Sequence, residues 1–285
     1  MSEYQYYEFL AADRPLDEDQ QAQVRALSTR ARITATGFTN DYEWGDFRGD
    51  PGKLMELYYD AHLYVANWGS RRLMLRLPRR LLEPKAVEPY RVEPYVAAWA
   101  TEEHLVLDLT SEDEEGDWEE EAKESLSAVI GVRAELTTGD LRPLYLAWLA
   151  AYGTWERDED AFGDKAESEL EPPVPAGLGS LTAPQRALAD FLRLDPDLLA
   201  VAARTSPPVT GSRSGPRELA RRIRELPPAD KDGLLLQVAE GHGARVQMEL
   251  LGHLRDTPEA DADRSRRTVA QLLDSAADIR QERQR

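Results

Sequence analysis

Residues 101–171 carry 22 acidic and 5 basic side chains, a net charge of -17 in a 285-residue chain whose total is -18. Like charges at that density cost self-repulsion in a compact state, and that cost falls on this stretch rather than on the flanking segments. Those are close to neutral, at -2 over residues 1–100 and +1 over residues 172–285. With 41% apolar and 31% charged residues, the composition suits folded units plus a solvated, charge-rich stretch. This length accommodates one large domain or two ordinary ones.

The first hundred residues predict an α+β unit with a mixed or antiparallel sheet. Alternation over Tyr4–Leu10 and the β-branched run Arg32–Phe38 predict strands. Asp17 is placed to cap a helix through Leu27, and Asp50-Pro51 opens a second. Asn67-Trp68-Gly69-Ser70 between two apolar runs predicts a hairpin, and Tyr95–Ala100 with His104–Leu109 predicts another. An acidic insertion near 111–124 follows, then a helix over Leu141–Tyr152 apolar enough to demand burial. Glu156–Ser180 combines acids with Pro172-Pro173-Val174-Pro175 and lacks an apolar period, which predicts a flexible linker. From 181 onwards the periodicity is helical, predicting a small all-α domain over 181–285 beside an α+β domain over 1–155.

Several chemistries are excluded or thinly supported by residue type. With no cysteine, disulfides, thiolate zinc sites, iron–sulfur clusters and thiol nucleophiles are absent together. The four histidines, His62, His104, His242 and His253, form no His-Glu-x-x-His pattern, and no Gly-x-Ser-x-Gly elbow occurs. Gly211-Ser-Arg-Ser-Gly215 enters a helix without the Walker Lys-Ser/Thr and reads as a helix-entry loop. Asn40–Asp50 gathers carboxylates but lacks EF-hand order, and Asp50 is already committed as a cap, with Trp44 and Phe47 available as packing anchors. Neither a metal nor a cofactor is expected. The N-terminus shows no basic region followed by an apolar core, and no run approaches membrane-spanning length, so a cytoplasmic setting is expected.

Tyr58–Pro78 is one distinctive stretch, and Glu225–Gly241 with Met248-Glu-Leu-Leu251 and Arg267–Leu273 is another. Both look similar to an uncharacterised family of actinobacterial hypothetical proteins, associated in turn with SWIM zinc-finger proteins. The resemblance implies no activity and transfers no catalytic residue.

Three classes of function remain open on sequence. The favoured one is a non-enzymatic interaction or scaffold protein in which Trp118, an apolar anchor among Glu119, Glu120 and Glu121, docks a basic partner protein. The second is a nucleic-acid-associated accessory protein. Alternation places His62 and Tyr64 on one hairpin strand on the same face as Arg72 and Arg76 on the other, a base-stacking arrangement if that face is open. Arg79 and Arg80 would extend it, and Arg217, Arg221, Arg222 and Arg224 form a second basic face. The third is a carboxylate-dependent enzyme, recognisable by a pocket holding two acids with raised pKa values.

Overall fold

The computed structural model describes residues 3–113, 120–153, 169–208, 216–240 and 266–284, with residues 243, 246 and 250. Seven strands form one antiparallel sheet: β1 (Gln5–Leu10), β2 (Arg32–Ile33), β3 (Gly37–Tyr42), β4 (Ala61–Ala66), β5 (Arg71–Pro78), β6 (Val96–Ala100) and β7 (His104–Ser111). Their order is β2-β3-β1-β4-β5-β7-β6, so the first strand sits near the centre. The predicted strand over 32–38 is broken, because Thr34 N–H bonds back to Gly37 O at 2.8 Å and makes a hairpin of β2 and β3. The hairpin at 67–70 forms as predicted, with Gly69 supplying the positive φ of 96° its tight turn requires.

Local signals set the helix starts. Asp17 and Gln20 cap each other reciprocally at the head of α1 (Glu18–Arg25). The Asp50 carboxylate accepts from Lys53 N–H at 3.2 Å at the head of α2 (Pro51–Leu57). After α3 (Pro84–Val87) come α4 (Ser125–Val129), α5 (Gly131–Thr137) and α6 (Arg142–Gly153). From Arg142 to Tyr152 every residue of α6 is buried, as its all-round apolar sequence requires.

Both faces of the sheet are covered. Leu63 and Val65 of β4, with the alternating leucines of β5 and β7, face α4, α5 and α6. The other face carries Tyr7, Phe9, Phe38, Met74 and Val106, packed against Val24 of α1, Leu54 and Met55 of α2, and Phe47. Period-two alternation distributes each strand between the two cores.

The C-terminal helices are α7 (Ala183–Phe191), α8 (Pro196–Thr205), α9 (Pro216–Glu225), α10 (Pro228–Ala239) and α11 (Val269–Gln284). The α+β and all-α segments are thus present in the predicted order. Leu188, Phe191, Leu198, Val201, Val269 and Leu272 belong to the same core as the sheet and α6, so no gap in packing separates them. Arg71 of β5 reinforces the junction by reaching the carbonyls of Asp190 (3.4 Å) and Phe191 (3.3 Å) at the end of α7. By contrast, α10 buries none of its residues, and Leu235 and Leu236 are exposed.

The predicted linker needs correction over 169–180; residues 154–168 lie outside the described residues. Glu171 is 2% exposed and accepts two bonds from Arg267, at 2.9 and 2.7 Å. Tyr145 of α6 donates to the same carboxylate. Leu178 is in the core, and Tyr90 donates to Pro173 O at 3.0 Å. The acid and the prolines that suggested solvation are satisfied by partners remote in sequence.

Candidate functional site

The register of β4 and β5 pairs His62 with Met74 and Tyr64 with Arg72, so the residues named as a nucleic-acid face do share a side of the sheet. That side is not the open surface the reading needs. His62 is fully buried, with its ring stacked on Phe9 at 4.0 Å. Its Nδ1 lies 2.9 Å from Glu8 O, and since a carbonyl only accepts, the proton sits on Nδ1. Burial pushes its pKa down to about 3, so the ring is neutral. Arg72 forks onto Asp108 at 2.8 and 2.6 Å, and Arg76 onto Asp60 at 3.1 and 2.7 Å. Tyr64 donates to the Gln5 side chain at 3.1 Å. The aromatic face is occupied by the chain's own α1, α2 and Phe47, and the two guanidinium groups by carboxylates.

Asp60 organises one end of the sheet. It is 1% exposed and accepts from the backbone N–H groups of Ala12 and Asp13, both at 2.8 Å, as well as from Arg76. Arg133 of α5, nearly as buried, forks onto Asp13 at 2.7 and 2.5 Å and donates to Arg76 O at 2.6 Å. Above this network opens a groove of about 1260 Å³, lined among others by Arg14, Arg79, Lys85, Glu102 and His104. Its lining charges are of both signs. Burial, then Arg76, pushes the His104 pKa down. Glu8 is a carboxylate whose pKa burial raises, but it lies on β1, outside the groove. The carboxylate-enzyme reading therefore gains no acid pair here.

The opposite end of the sheet collects exposed tryptophans and acids. Gln5 pairs with Tyr42 on one side and Ala66 on the other, and Trp44 and Trp68 each stand two residues beyond those partners. The Gln5 amide donates to Asp46 at 2.9 Å and Gly45 O at 3.4 Å, pinning the Trp44 loop. Tyr4 and Asn67 exchange two bonds, at 2.9 and 3.0 Å, pinning the Trp68 turn. Trp44 is 75% and Trp68 41% exposed. Phe47 packs inward as expected of an anchor, whereas Trp44 does not.

The acidic insertion is tethered to this same end. Where β7 finishes, Ser70 donates to Glu112 and Asp113 N–H bonds Gly69 O at 3.3 Å. On the return, Lys123 lies 4.2 Å over the Tyr4 ring. Trp118 and Glu119 fall outside the described residues. Glu120 and Glu121 begin the 3-10 turn Glu120–Glu124, and their side chains fall outside as well. So do Gly211–Gly215, His242, His253 and the side chains of Arg217 and Arg222. Arg221 pairs with Glu225 at 2.9 Å.

Among the described residues, no group of three or more histidines and carboxylates is placed to hold a metal ion, and no helix is long and apolar enough to cross a membrane. The arrangement defines an antiparallel-sheet α+β protein with an acidic, tryptophan-bearing end. Comparison with protein-family models, curated proteins and solved structures finds no match, so the resemblance rests on its quoted residues alone.

Proposed function

We propose that this is a non-enzymatic, cytoplasmic interaction protein whose acidic segment docks a basic partner protein. The observation that carries the reading is the tethering of that segment at both flanks to one end of the sheet, through Gly69 and Ser70 before it and Tyr4 after it. A solubilising tail needs no such fixed base. A docking segment gains from one, because less freedom is lost on binding. Trp118 supplies apolar area and the surrounding acids supply steering. Nucleic acid is repelled by this region, and the hairpin face that favoured it is covered.

The test is capture from native lysate by the wild type and by a Trp118→Ala, Glu119→Gln, Glu120→Gln, Glu121→Gln variant. The expected outcome is a basic protein retained by the wild type, released by salt and lost by the variant. Equal capture by two equally folded proteins would reduce the segment to a solubility element.

A further inference from the structure

The tryptophans at the acidic end of the sheet point to the kind of segment that docks there. Neither Trp44 nor Trp68 has a hydrogen bond or ring contact among the described residues, and both are large apolar groups left in water at 75% and 41% exposure. Their loops are fixed rather than loose: Gln5 holds one and Tyr4 the other. The strands that deliver them, β3 and β4, flank β1, so the strand ends that carry the two loops stand about 10 Å apart, twice the spacing of paired strands. At the two loops, Asp46 accepts from Gln5, Glu112 accepts from Ser70, and Asp113 lies 3.9 Å from Arg193, which donates to Gly69 O at 2.8 Å; Asp41 and Glu43 come just before Trp44 in the chain.

We infer that Trp44 and Trp68 form a two-ring platform for an extended, arginine- or lysine-rich segment of a partner protein. This inference rests on the docking function proposed above and identifies its partner chemistry. Indole faces attract guanidinium and ammonium groups, and the surrounding carboxylates raise the local concentration of cations. In a polyproline II conformation, with three residues per turn and a rise of about 3.1 Å, side chains three residues apart share a face and are separated by about 9 Å, close to the spacing of those strand ends. A segment with cations at every third position therefore presents one toward each loop. An anionic ligand meets like charge here, and an apolar helix would offer the acids no counter-charge.

The probe is a fluorescein-labelled twelve-residue peptide with arginine at every third position and glycine and serine between, titrated into the full chain at low salt. Its control replaces arginine with citrulline. Trp44→Ala and Trp68→Ala alter exposed side chains and should leave the melting temperature unchanged. Each is expected to weaken binding about 2- to 5-fold, and the citrulline peptide should not bind. Leu57→Ala, on an exposed residue at the other end of the sheet, should bind as wild type. If both tryptophan variants bind as tightly as wild type while the Trp118/Glu119–Glu121 variant loses affinity, the platform is overturned and the docking function survives. If the acidic-segment variant also binds like wild type, or the wild type ignores the peptide, both fail. Tighter, tryptophan-dependent binding of a single-stranded oligouridine than of the peptide would likewise overturn the inference.

Discussion

His62 shows what burial does to a titratable group that lacks a counter-charge. Its folded pKa of about 3 lies below the ordinary value of 6.5, so the unfolded chain takes up the proton first as pH falls. The associated stability is fully present above pH 6.5 and is lost on the way down to about pH 3, at about 1.4 kcal/mol per pH unit in the steep part. Carboxylates titrate across part of that range, so the informative quantity is a difference. A His62→Gln variant, which keeps an N–H donor, should be less stable than wild type at pH 7 and close part of that gap by pH 5. Urea denaturation at the two pH values measures it, and a constant gap would mean that the imidazole is not held neutral. Sequence alternation put His62 on the correct face of its strand. It gave no sign that Phe9 and Tyr7, more than fifty residues earlier, would cover the ring.

At the scale of elements, an ion pair fastens α6, the 169–171 segment and the entry to α11. Glu171 is far more buried than Arg267, so removing the arginine strands a carboxylate in the core beside Tyr145. Losing one partner of such a pair costs about 3–5 kcal/mol, and Arg267→Ala should approach that figure in chemical denaturation. Glu171→Gln, which keeps the shape without the charge, should cost less. Adding Glu171→Gln to Arg267→Ala should recover stability relative to Arg267→Ala alone, since the stranded charge is then gone. Additive losses would place the pair outside the core. In sequence, Glu171 looks like one more acid in an acidic run; its role depends on a partner 96 residues away. The helix α6 was readable for the converse reason: a segment apolar on every side has no exposed solution in water.

For the whole molecule, the shared core predicts how the chain behaves when its backbone is cut. Leu188, Phe191, Leu198, Val269 and Leu272 pack into the apolar cluster built on the sheet. A protease site engineered between residues 156 and 168 should therefore yield two fragments that co-migrate in native gel filtration and separate only in denaturant. Independently folding halves that elute apart would show that the C-terminal helices do not need the sheet. Local events were legible in the order of residues: strands from alternation, helix starts from Asp17 and Asp50, the hairpin from Asn67–Ser70, the burial of α6, and the confinement of excess negative charge to one quarter of the chain. Each follows from side-chain chemistry acting over a few residues. Tertiary structure decided which surfaces exist. It covered the His62/Tyr64/Arg72/Arg76 face with a second layer, anchored the proline-rich stretch through buried Glu171 and Leu178, and brought Trp44, Trp68 and the two flanks of the acidic segment to one end of the sheet. Those outcomes depend on strand order and on contacts between residues tens to more than a hundred positions apart, and no local periodicity encodes them.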